Sequence, residues 1–249
     1  MGNLDQLTQI IGRLNAGEDP ERVREEAREF LATVSPEDLT FAEHELVSAG
    51  LAPEDLRHLC SIHMGMLEGE AEKLKSQLQP GHVIHTMIAE HEIILGFLDE
   101  LDAVNRSIQS MERYEPGREE FVKLRHVAEH LVGAESHHQR EEEVLFPEVE
   151  RRGVFGPPQV MRMEHEELRA RKQEIRQLAE RVGAMDFGAF KSRLNAASKF
   201  IVLTLRDHIF KENNILYPAA VQVIRDAEQW QRMKAACDAI GYCCFTPKV

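Results

Sequence analysis

The chain has little of what would tie it to an oxidising compartment, a membrane or a nucleic acid. Four cysteines in 249 residues, Cys60, Cys237, Cys243 and Cys244, have neither zinc-finger spacing nor the density of a disulfide framework. Residues 1–14 lack the cationic start and apolar stretch of a secretory signal, and no apolar run approaches the length of a membrane span. A cytoplasmic, reducing setting and no membrane partner are therefore expected. Positive charge is also short: 30 Lys and Arg stand against 43 Asp and Glu, a net charge of −13. No basic stripe is present to meet a phosphate backbone, so a nucleic-acid partner is not expected. Strand signals are nearly absent, with no sustained alternation and no Asn-Gly hairpin turn.

Helical signals fill the space. The apolar fraction, 43%, is ordinary for a globular chain and sufficient for a core. Four short helices are expected between residues 3 and 78, two of them opened by Asp19-Pro20 and Ser35-Pro36, an N-cap followed by proline at the first helical position. Pro80-Gly81 breaks the chain and marks a domain boundary. Four longer helices are expected next, over 82–110, 116–152, from Gly156-Pro157-Pro158 to about 183, and 187–224. Their length and short connections predict an all-α fold, an up-down-up-down four-helix bundle. The expected organisation is a small helical domain over 1–79, the bundle over 80–226, and a C-terminal helix with a cysteine-containing tail over 227–249. Pro147 and Pro218 lie inside helical patterns, where each removes a backbone hydrogen bond and bends or ends its helix.

One pattern occurs twice. His137-His138-Gln139-Arg140-Glu141-Glu142-Glu143-Val144-Leu145-Phe146-Pro147 aligns without a gap to His208-Ile209-Phe210-Lys211-Glu212-Asn213-Asn214-Ile215-Leu216-Tyr217-Pro218. His, basic, Glu, Leu, aromatic and Pro positions all match. Residues four apart share a helix face, so each His-x-x-x-Glu pair aims an imidazole and a carboxylate at one point. In the last long helix, His208 and Glu212 continue the apolar stripe Leu194, Ala197, Ile201, Leu205. A buried carboxylate without a partner is costly, and a metal ion would remove that cost; a His–Glu hydrogen bond is the plain alternative. His91 interrupts the stripe Ile84, Met87, Ile94, Leu98 of the first long helix, whereas His82 and His85 fall at its start, where they are exposed or capping. His165 shares a face with Met161, Leu168 and Ile175, although Glu164, Glu166 and Glu167 around it also suit a charged surface turn. In the second long helix the apolar stripe runs through His138 and Glu142. The repeat instead selects His137 and Glu141, about 100° round the helix, and is favoured because it covers the whole segment. His126 and His130 precede it as supporting or solvent-facing residues. The expected metal set is His91, His137, Glu141, His165, His208 and Glu212. Imidazole and carboxylate without thiolate suit iron or manganese better than structural zinc.

These residues resemble the hemerythrin family, in particular its HHE cation-binding branch. The likeness rests on His137…Glu141 through Pro147, on Glu164-His165-Glu166-Glu167-Leu168-Arg169, and on His208…Glu212 through Pro218, and it covers about 81–224. It implies a non-haem di-iron centre bridged by Glu141 and Glu212, with histidines capping both irons; manganese or zinc are possible substitutes. Oxygen-carrying members place a second histidine one turn after His165, where this chain has Arg169. Four imidazoles and two bridging carboxylates fill about eight of about twelve positions around two irons. An oxo or hydroxo bridge takes about two more, leaving open positions for O₂, NO or peroxide. The same set is similar to that of iron–sulfur cluster repair proteins, whose N-terminal cysteine pair is missing here. Residues 1–78 resemble instead an uncharacterised helical domain found ahead of other HHE domains.

Four functions follow as expectations, the last and plainest being a helical bundle with one metal or none that acts in protein interaction. The first is a di-iron protein that binds or senses O₂, NO or peroxide, with a protein partner reached through the N-terminal domain. The second is an iron-handling protein for cluster repair, and the third a di-iron peroxidase or oxidase. Binding ranks above enzyme chemistry because no general acid is evident near the ligand set, and no catalytic residue is assigned. Cys60-x-x-His63 on a short apolar stripe is a weak metal or haem signal beside a buried thiol and a packed ring. Cys243-Cys244 is either a strained redox pair or two free thiols near the chain end.

Overall fold

A computed structural model describes residues 70–248 and isolated positions between Gln6 and Phe30. Of the four short helices expected up to residue 78, the end of the last is described, as α1 (Glu70–Gln77). Cys60 and His63 lie outside the described residues. All described elements are helical, in keeping with the absence of strand patterning.

Helix α2 (Val83–Gln109) starts where His82 Nδ1 accepts the Ile84 N–H at 3.2 Å, so His82 is a cap. The second long helix differs from expectation. It begins at Glu119 as α3 (Glu119–Gly133), is interrupted at Ala134, and resumes as α4 (Glu135–Arg140). Gly133, a poor helix former, sits at the interruption. A π-helical turn (Glu141–Leu145) then leads into α5 (Phe146–Glu150). Helix α6 (Gly156–Arg181) carries Pro157 and Pro158 in its first turn, where their missing N–H groups cost nothing. Helix α7 (Phe187–Lys211) is capped by Asp186, whose carboxylate accepts the Ala189 N–H at 2.8 Å. It too passes into a π turn (Glu212–Leu216) and α8 (Tyr217–Val223). Helix α9 (Ala227–Ile240) closes the described chain with its tail.

The two prolines neither end nor simply kink their helices. In each copy of the repeat the chain widens by one residue, so the Phe146 N–H donates to the Glu141 carbonyl and the Tyr217 N–H to the Glu212 carbonyl. The proline that follows falls in the first turn of the resumed α-helix, where it is tolerated. Both wide turns open on the glutamate of the His-x-x-x-Glu pair, and such turns recur at functional sites.

Helix α2 packs on α3 and α7, and α6 packs on the same two, closing a four-helix ring. Its interior is layered. One apolar cluster gathers Ile94, Leu98, Leu124, Leu131, Leu168, Ile175 and Leu205. A second gathers Ile84, Met87, Leu145, Phe146, Met161, Leu216 and Tyr217, with Met233 and Cys237 of α9. Between them each of the four chain segments contributes polar residues to a buried layer: Glu90-His91, His137 to Glu141, Glu164-His165, and His208 to Glu212. No described helix is long and apolar enough to cross a membrane.

Candidate metal centre

The six residues expected to bind metal are brought together in that layer, each at most 1% exposed. Glu212 reaches histidines from three segments: its carboxylate oxygens lie 3.0 Å from His208 Nε2, 3.3 Å from His91 Nε2 and 3.6 Å from His165 Nε2. Glu141 lies 3.6 Å from His137 Nε2 and shares His165, whose Nε2 is 3.5 Å away. His165 Nε2 and His208 Nε2 are 3.0 Å apart. Two triads, His91–His137–Glu212 and Glu141–His165–Glu212, have one donor atom each within 4.8 Å of the others.

Every one of the four imidazoles turns Nε2 inward and anchors Nδ1 outward. His137 Nδ1 meets Glu90 at 2.6 Å, His208 Nδ1 meets Glu164 at 2.8 Å, His165 Nδ1 meets Glu142 at 2.7 Å, and His91 Nδ1 meets Asn213 at 2.7 Å. The arrangement is a pseudo-twofold built on the repeat. The basic residue before each inner glutamate pins the carboxylate that holds the histidine: Arg140 on Glu90 at 2.6 Å, and Lys211 on Glu164. The residue after each inner glutamate, Glu142 or Asn213, holds a histidine of the neighbouring helix, His165 or His91. Such outward bonds fix ring orientation and raise ligand basicity.

The inner carboxylates face imidazoles at ion-pair distance but are not fully hydrogen-bonded. Glu141 Oε2 and both oxygens of Glu212 are buried without a hydrogen bond, their short contacts to ring nitrogens lacking hydrogen-bond alignment. Burial and the neighbouring Glu212 push the Glu141 carboxyl well above the usual carboxylate range. Burial also opposes ionisation of Glu212, but the imidazoles of His208, His165 and His91 outweigh it and hold that carboxyl well below the range. Burial holds His137 down to about 4, only partly opposed by Glu90. For His208 the burial penalty is overcome by Glu212 and Glu164, raising it to about 9. One proton shared between two facing glutamates is a poor substitute for a cation. Three orphaned carboxylate oxygens amid four inward nitrogens therefore fit a divalent or trivalent ion, and the oxygen and nitrogen donor set fits iron or manganese.

Sequence reasoning missed the residues behind the expected ligand set. Glu90 and Glu164 are 0% and 2% exposed, and the doubled dipeptide Glu-His, at 90–91 and 164–165, was the signal for them. His165 is therefore no surface turn; only Glu166 and Glu167 beside it are exposed. Tyr217 was matched only as an aromatic, yet its hydroxyl donates to Glu141 Oε1 at 2.7 Å and stands 3.5 Å from both His91 Nε2 and His137 Nε2. His138 and Glu142, the competing pair, occupy different places. Glu142 backs His165, while His138 is buried and stacks on His165 with ring centroids 3.9 Å apart. Arg169 turns outward to Glu135 at 2.5 Å and Glu142 at 2.9 Å. His126 is exposed and His130 half-buried, away from the layer. Cys237, Cys243 and Cys244 are free thiols, with Cys243 behind Arg140 rather than in the cage.

A family of unknown function (DUF438) matches residues 7–73. No curated protein matches the chain. The model of the hemerythrin HHE cation binding domain matches residues 82–220, from the cap of α2 to α8. The chain belongs to the hemerythrin HHE cation-binding family.

Proposed function

We propose that the chain is a non-haem di-iron protein that binds or senses O₂, NO or peroxide. His91 and His137 would hold one iron, His165 and His208 the other, and Glu141 and Glu212 would bridge them. The observation that carries this reading is the set of three buried carboxylate oxygens that have no hydrogen bond and face four imidazole nitrogens. An iron pair supplies reversible ligand binding with electron transfer to the ligand. The protein's own part is to hold the imidazoles by their Nδ1 atoms, to keep water out between two apolar clusters, and to leave coordination positions unfilled. The bundle would occupy 80–226. Residues 1–79 would pass the ligand state to a protein partner.

Iron content and the absorption spectrum of aerobically purified protein test this. Two irons per chain with oxo-bridged ferric bands are expected. Substitution of either Glu141 or Glu212 by Ala should abolish stoichiometric iron. Fewer than one iron per chain in the parent protein, or unchanged iron in both variants, would overturn the assignment.

A further inference from the structure

The pseudo-twofold is broken at several places, and two of the breaks concern which side of the centre a ligand can reach. On the His91/His137 side the Tyr217 hydroxyl fills the space, hydrogen-bonded to Glu141 and equidistant from both Nε2 atoms. Its counterpart beside His165 is Phe146, a stacked ring with no hydroxyl, 5.8 Å between centroids. The second break is His138, whose counterpart in the repeat is the apolar Ile209. His138 is 3% exposed, and its Nδ1 has no hydrogen bond; Glu135 is 3.8 Å away and engaged by Arg169.

Lys172 adds a second buried polar group. It lies two helical turns after His165 on the same face, between Leu168 and Ile175, and helical side chains lean toward the N-terminus, here toward His165. It is 2% exposed. No hydrogen bond or ion pair to it is found among the described residues; Glu135 is the strongest charge acting on it, then Arg169, with Glu212 weaker, and its own charge acts on His138. Arg169, one turn nearer His165, faces outward and leaves the interior free. One ring nitrogen of His138 lies within 4.8 Å of a nitrogen of His165 and one of His208. The parallel stacking of His138 on His165, with only 8° between the rings, keeps both from pointing at one ion. The geometry makes His138 a neighbour of the centre instead of a fifth imidazole.

We infer that His138 and Lys172 line a small-anion site on the His165/His208 side of the centre, so that the ligand taken there is a monoanion or gains negative charge on binding. This rests on the two-iron reading. The lysine supplies the cation and His138 a hydrogen-bond donor to the far end of the ligand. Both groups are costly to bury unpaired, and an anion removes that cost.

Azide is the probe, titrated into the iron-loaded full chain and followed by its visible absorption, with iron per chain measured on every sample. Saturable azide binding is expected, weakened at least about 10-fold in Lys172→Met at unchanged iron content, as for loss of a charge-assisted contact. His138→Phe, which keeps a flat ring against His165, is expected to weaken it as well. It decides the matter should the lysine variant fail to load. Equal azide affinity at equal iron content, or iron-loaded parent protein that binds no azide, overturns the anion site and leaves the iron pair standing. A parent protein that takes up no iron sinks the two-iron reading and this site with it.

Discussion

A buried lysine with no partner is a stability cost that the fold carries, and its sign can be worked out. Burial pulls Lys172 from 10.5 down to about 8, the main opposing influence being Glu135. Between those values the folded chain binds fewer protons than the unfolded chain, so stability rises with pH there. The penalty is complete below about 8 and gone above 10.5. At about 1.4 kcal/mol per unit the cost is at most about 3.5 kcal/mol. Lys172→Met, nearly equal in volume, is therefore expected to stabilise the metal-free protein at pH 7 by up to that amount. Urea unfolding at pH 7 and near pH 10.5 measures it. A gain of the same size at both values would remove ionisation as the cause. Glu90 shows the opposite case. It is as deeply buried, but His137, Arg140 and Thr246 hold its carboxyl down at about 2 against the burial penalty. A charge with partners stays charged, and one without partners shifts.

At the scale of elements, the turns that end helices and the turns that widen them differ in cost. Gly153 ends α5 with φ of 88°, donating its N–H to the Glu150 carbonyl at 2.9 Å. An added Cβ would meet nothing within 4 Å, so only the left-handed backbone penalises a side chain there. Gly153→Ala is expected to cost about 1–2 kcal/mol in thermal or urea unfolding, with iron content unchanged; no loss would mean the turn relaxes. Sequence punctuation of this kind made most of the described fold legible: Pro80-Gly81 and Gly156-Pro157-Pro158 bracket the helices to within a few residues, while the caps Asp186 and Asp226 went unread. The widened turns were not legible. A π turn inserts one residue, which rotates everything beyond it by about 100°. A stripe carried back from Leu145 and Val149 through that turn as one continuous helix is therefore displaced and lands on Glu142 and His138. The repeat carries the same insertion in both copies and so points to His137 and Glu141, the residues the structure turns toward the other histidines. What the repeat hides is where its copies differ, at His138 against Ile209 and Tyr217 against Phe146, because alignment rewards matches. The Nδ1 partners were hidden for another reason: a glutamate beside a histidine looks like surface charge until the packing buries it.

Across the whole molecule, the polar layer is held by parts remote in sequence, including a segment beyond the family match at 82–220. Helix α9 joins the apolar cluster on one side of the layer through Met233 and Cys237, and the tail joins the other through Cys243. In crossing between them it covers the back of the centre. The Tyr242 ring lies under Arg140 at 4.6 Å, and the Thr246 hydroxyl donates to Glu90. Both contacts bear on one chain of bonds, Arg140 to Glu90 to His137. Loosening it should free His137 to turn and let water reach the carboxylate, while both apolar clusters stay packed. The variant combining Tyr242→Ala with Thr246→Val is therefore expected to keep its fold and its initial iron but to release iron to a chelator faster. An acceleration of about 10-fold is the lower end of what loss of an outer partner to a metal ligand costs. Only one of the two proposed irons should leave quickly, because the tail touches the support of His137 and not that of His208, which Glu164 and Lys211 hold on the far side. Biphasic release, with a fast half and a slow half, is thus the expected signature. Uniform acceleration of both would mean that the tail governs general solvent entry, and unchanged release would mean that Arg140 alone suffices to hold Glu90.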